Sequence, residues 1–112
     1  METTRQQKVA RLLQKEMADI LQTEKQNFST SGLLTITDAQ VSRDFAFARI
    51  YLSIFGVSDK QAVLNALNNS KKELRFKLGQ RIKHQLRIVP EILFVLDETL
   101  DYIENIDNLL KQ

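Results

Sequence analysis

A chain of 112 residues without a cysteine has room for one folded domain, 1–112, and cannot form a disulfide, a thiolate metal site or a cysteine nucleophile. Its net charge of +2 hides an uneven distribution: residues 71–87 carry seven lysines and arginines against one acid, and residues 88–112 carry six acids against one lysine. The longest apolar run, Ile92 to Leu96, is far short of the ~20 residues a bilayer span needs, and the polar opening METTRQQKVAR does not read as a secretory leader, so the expectation is a cytoplasmic protein that meets polyanions through its middle.

Residues 4–24 set Val9, Leu12, Leu13, Met17, Ile20 and Leu21 at three- and four-residue steps, which predicts an amphipathic helix. Arg5, Lys8, Arg11 and Lys15 recur at similar steps and draw a cationic line beside the apolar one. LLTITDAQV (33–41) alternates and is rich in β-branched residues, which predicts a strand. A short VSRD connection follows, where Ser42 and Asp44 can bond nearby amides. In the next strand, FAFARIYLSIF (45–55), Ala46, Ala48, Ile50, Leu52 and Ile54 share one face, a bed for helices; Phe45, Phe47, Arg49, Tyr51, Ser53 and Phe55 share the other.

Gly56 breaks that strand, and Ser58 with Gln61 forms a capping-box pattern for a helix over 59–68 that buries Val63, Ala66 and Leu67. Ser70 with Glu73 opens another helix, whose buried edge is Leu74, Leu78 and Ile82; the residues at the join, Asn68 to Ser70, suit a kink or tight turn. Pro90 ends helical potential at Val89. EILFVLD (91–97) reads as a third strand, and TLDYIENIDNLLK (99–111) as an amphipathic helix using Leu100, Ile103, Ile106 and Leu110. The order helix, strand, strand, helix, helix, strand, helix predicts an α+β sandwich of two layers, with helices covering one face of a three-stranded sheet.

Catalysis finds little support. The lone histidine, His84, sits in a cationic stretch with no carboxylate near it in sequence, so an exposed helix surface is its plain role. Asp38, Asp44 and Asp97 stand at strand ends, where aspartates cap turns more often than they gather magnesium. Gly32, Gly56 and Gly79 are too dispersed for a phosphate-cradling loop, and neither a cofactor nor a metal is expected. The basic helix is the outstanding feature. With Leu74, Leu78 and Ile82 inward, Lys71, Lys72, Arg75 and Lys83 lie away from the core while Lys77 and Arg81 flank it, and only Glu73 is placed to relieve the repulsion, by pairing with Lys77. Such clustering rewards phosphate binding. Two helices set between strands suit an RNA module of the KH class, in which the turn between the helices clamps nucleic-acid backbone.

VSRDFAFARIYLS (41–53) and LRIVPEILFVLD (86–97), with TTRQQKVARLLQKEMADIL ahead of them, resemble the ribosome-binding factor A family over nearly the whole chain. The markers are Ser42-Arg43-Asp44 followed by alternating alanines and aromatics, and Arg87-Ile88-Val89-Pro90-Glu91 leading into Phe94. The resemblance implies a type II KH-like fold and a cytoplasmic, non-enzymatic monomer without membrane attachment. It also implies binding to the small (30S) ribosomal subunit at its 16S rRNA and help in late maturation, including 16S rRNA processing, with importance in cold growth. Where the family pattern has an Ala-x-Gly kink between the paired helices, this chain has Ser70 and Lys72. The RNA-binding set is then Lys71, Lys72, Arg75, Lys77, Arg81, Lys83 and Arg87, with Arg5, Lys8, Arg11 and Lys15 as a second track. Phe45, Phe47, Tyr51 and Phe55 serve either as a base-stacking platform or as a bed for the terminal helix. The rival reading is a protein-interaction adaptor that uses the aromatic sheet face and the acidic C-terminal helix.

Overall fold

The computed structural model describes residues 3–24 and 33–97. In chain order these form α1 (Thr4–Thr23), β1 (Leu33–Val41), β2 (Phe47–Phe55), α2 (Lys60–Asn69), α3 (Lys71–Ile82) and β3 (Glu91–Leu96). The expected C-terminal helix, with Leu100, Ile103, Ile106 and Leu110, lies outside the described residues. The three strands form one mixed sheet in the order β1-β2-β3, in which β1 runs antiparallel to β2, and β3 runs parallel to β2 after the two-helix crossover.

A reciprocal cap fixes the start of α1: Thr3 Oγ1 accepts from the Gln6 amide at 3.1 Å, and Gln6 Oε1 accepts from the Thr3 amide at 3.0 Å. Gln6 is buried and also donates from Nε2 to the Val41 carbonyl at 2.9 Å, so the helix start is tied to the end of β1. Behind it Val9, Ala10, Leu13, Met17, Ile20 and Leu21 face the core. Leu12 of the expected stripe is only partly buried; Gln6 and Ala10 fill out the face instead.

In β1 the alternation slips at a bulge between Ile36 and Asp38, where Thr37 is the extra residue. The slip allows both Leu34 and Ile36 on one side of it and Ala39 and Val41 on the other to meet the same inward row of β2, namely Ile54, Leu52, Ile50 and Ala48. β3 adds Ile92 and Phe94 to that row. The helices close it with Val63, Leu64 and Leu67 from α2 and Leu74, Leu78 and Ile82 from α3.

Three local expectations change. β2 begins at Phe47, because Phe45 adopts a left-handed φ of 59° in the turn before it. That turn is braced from several sides: Asp44 Oδ1 accepts from the Ser42 hydroxyl at 2.7 Å and from the Ala46 amide at 3.1 Å, and the Phe45 amide donates to the Ser42 carbonyl at 3.0 Å. Asp59, not Ser58, caps α2 by accepting from the Ala62 amide at 3.1 Å, so the helix starts one residue later than its sequence pattern implies. Ser70 makes no side-chain cap; it is the single residue between α2 and α3, and the backbone ladder runs through it, its amide donating to the Ala66 and Leu67 carbonyls and its carbonyl accepting from Leu74.

Candidate nucleic-acid interface

α3 is amphipathic in three directions. Leu74, Leu78 and Ile82 enter the core. One flank meets α1, and there Lys77 pairs with Glu24 and with Glu73 (3.4 Å), while Arg81 pairs with Asp19 and with Glu16 (3.4 Å). These bonds hold the Lys77 ammonium, chiefly through Glu24, and the Arg81 guanidinium, chiefly through Asp19, more firmly protonated than usual. Both residues, expected on the RNA-binding surface, therefore serve as ties between two helices.

The other flank meets the segment that leads into β3. Arg75 donates from Nη2 to the Val89 carbonyl at 2.7 Å, and from Nε to the Val89 and Pro90 carbonyls at 3.2 and 3.1 Å. The lack of a side chain at Gly79 lets this segment lie close, since a Cβ there would come within 3.2 Å of Val89 Cγ2. Arg75 thus positions the entry to β3, and three of its five N–H donors remain for a phosphate.

Between the opening of α3 and the adjoining parts of β2 and β3 lies a groove of about 540 Å³, lined by Phe47, Ala48, Arg49, Lys71, Lys72, Arg75, Glu91, Ile92 and Leu93. Four cations face one acid there. Phe47 and Leu93, 59% and 46% exposed, supply an apolar floor that no described residue covers. A recess of about 190 Å³ shares Phe47, Ala48 and Arg49 with the groove and continues to Gln40, Val41 and Ser42 at the end of β1. Lys71 and Lys72 are exposed in the first turn of α3, where the helix dipole also favours negative charge. Arg49 is the residue that sequence reasoning missed. Its position on an aromatic strand face carried no charge run; only the parallel pairing of Arg49 with Leu93 brings it beside α3.

The rest of the expected set is distributed. Lys83 and Arg87 are exposed beyond Ile82, where α3 ends, and His84 is exposed in the turn there instead of on a helix. Arg5 stands over the Phe45 ring, 5.1 Å from its centroid, so Phe45 belongs to this contact and not to a sheet-face platform. Lys8, Arg11 and Lys15 are exposed on α1 and do not line the groove. On the outer sheet face Ser53 is buried, and Tyr51 bridges Arg49 and Gln40 through weak contacts of 3.5 Å. Asp97 accepts from the Thr37 hydroxyl at 2.6 Å, Asp38 caps its neighbour's amide, and among the described residues no cluster of acids and histidine could hold a metal. No helix among the described residues is long and apolar enough to cross a membrane.

A helix-covered mixed sheet with a cationic groove where its paired helices join defines an α+β protein of the KH-like class. A family model described as ribosome-binding factor A matches residues 5–110. Relatives carrying that name include one from Cytophaga hutchinsonii, 46% identical over all of this chain and 84% of its own length. Another, from Flavobacterium johnsoniae, is 39% identical over 98% of this chain and 85% of its own. Among solved structures, the crystal structure of ribosome-binding factor A from Thermus thermophilus superposes with a TM-score of 0.65 at 22% identity, covering 81% of this chain and 94% of that one. A Thermus thermophilus RbfA model fitted into the cryo-EM map of a 30S complex gives 0.61 at 21% identity, covering 77% and 88%. The chain belongs to the ribosome-binding factor A family.

Proposed function

We propose that this chain works in the cytoplasm as a single, monomeric KH-like domain that binds the small (30S) ribosomal subunit through 16S rRNA phosphates. In doing so it assists late maturation of the subunit, including 16S rRNA processing, with its main importance during growth in the cold. The observation that carries this reading is the groove in which Arg49, Lys71, Lys72 and Arg75 converge against Glu91 alone. The family and the Thermus thermophilus relative fitted in a 30S complex support the choice of partner. Binding restrains flexible rRNA by neutralising phosphates, and it needs no chemical step from the protein.

Co-sedimentation with small subunits tests this. The triple variant Arg49→Ala/Lys71→Ala/Lys72→Ala is expected to leave the subunit fraction, and the double variant Lys77→Ala/Arg81→Ala to remain in it. Equal behaviour of the two variants contradicts the assignment. The exposed Phe47 and Leu93 favour the adaptor as the second reading. If it holds, ribosomal protein stays attached after ribonuclease digestion and the triple variant still captures it. In a strain carrying the triple variant, unprocessed 16S rRNA is expected to accumulate at low temperature.

A further inference from the structure

Phe76 lies on the solvent face of α3 and is 67% exposed, the most exposed of the large apolar residues among the described ones. It contributes little to the core, which α3 meets through Leu74, Leu78 and Ile82. Its surroundings are cationic. Lys72 stands one turn before it on the same face and also lines the groove, and Lys83 follows two turns later, just beyond the helix. Glu73, three residues before it, pairs at 3.4 Å with Lys77, which Glu24 also holds, so Lys72 and Lys83 face one exposed acid. The segment bonded to Arg75 runs along the adjoining flank of α3 and carries Ile88, 58% exposed, next to Arg87.

We infer that Phe76 is a stacking platform for an unpaired RNA base, on the outer lip of the phosphate groove. The inference rests on the phosphate-binding reading and extends it. A duplex keeps its bases stacked on one another, whereas a single strand can turn one outward onto an aromatic ring while lysines hold the phosphates on either side. Lys72 faces both the groove and Phe76, so a strand leaving the groove passes over the ring. A flat, apolar side chain offers no hydrogen-bonding pattern, and the platform accepts any base. The ligand is therefore single-stranded RNA, selected by its strandedness and not by its sequence.

The chain has no tryptophan, so Phe76→Trp installs a single reporter at this position. Titration with single-stranded oligo(U) is expected to quench its fluorescence, and a blunt duplex of equal length to leave it nearly unchanged. Phe76→Ala is expected to weaken oligo(U) binding about tenfold while leaving the salt dependence as in the parent, and Phe76→Tyr to restore most of the affinity. Unchanged oligo(U) affinity in Phe76→Ala, or equal quenching by duplex and single strand, overturns the stacking role and leaves the groove reading standing. Loss of subunit binding in Phe76→Ala with oligo(U) affinity intact assigns the ring to a protein contact and also overturns it. Failure of the parent chain to bind oligo(U) at low salt removes the groove reading and this inference together.

Discussion

Asp44 governs the turn that aims Phe45 at Arg5 and starts β2. The Ser42 hydroxyl, above all, and the Ala46 amide stabilise its charged form, which places its pKa below the ordinary 3.8. A group depressed in the folded state adds stability that is present above the unfolded value and disappears as pH falls through the folded one. Asp44→Asn is therefore expected to lower the urea midpoint at pH 7, with the difference shrinking as pH falls below 3.8; a difference that does not shrink there would contradict the linkage. Asn68 does a different job at the open edge of β3. Its side chain donates to the Phe94 carbonyl at 3.1 Å and accepts from the Phe94 amide at 2.9 Å, standing in for a neighbouring strand. Asn68→Ala is expected to cost about 1–2 kcal/mol in urea unfolding. At this scale the sequence shows which residue types begin and end elements, but Ser58 and Asp59 are both good caps, and only the turn after Gly56 selects between them.

Among the elements, α3 was the most legible and also the most misleading. Its Leu74, Leu78 and Ile82 spacing gave the buried edge directly. Its spacing set Lys77 and Arg81 beside the buried edge, but the acids that bind them there come from α1 and the residue that ends it: Glu24 lies 53 residues from Lys77, and Asp19 lies 62 from Arg81. Those acids occupy Lys77 and Arg81, leaving Lys71, Lys72 and Arg75 at the groove and Lys83 and Arg87 exposed at the far end of α3. Ion pairs near the surface contribute about 0–1 kcal/mol each, so with Glu16 and Glu24 partly buried, Glu16→Gln/Asp19→Asn/Glu24→Gln should lower the urea midpoint modestly. It should gain a steeper salt dependence of RNA binding, by up to about 1.4 in log–log slope, as Lys77 and Arg81 become available to phosphates. An unchanged slope would show that these two cations cannot reach the RNA even when released. The bulge at Thr37 is the converse case, since the threonine alternation of β1 continues through it and gives no sign of the slip.

For the whole molecule, element order and family resemblance together made the layering legible, and the described residues form that sandwich. The groove was half legible. Lys71, Lys72 and Arg75 belong to one run in the sequence, whereas Arg49, Phe47 and Leu93 join them only because β3 lies parallel to β2 after the crossover. Sequence distance hides such a site, since its walls come from three elements and its positive charge from two. The central claim is that four groove cations hold RNA phosphates, and the dependence of affinity on salt measures it most directly. Single-stranded RNA should bind the parent chain with a log–log slope of about −3, falling to about −1 in Arg49→Ala/Lys71→Ala/Lys72→Ala. An affinity indifferent to salt, or a slope that survives the loss of those three side chains, would contradict the account.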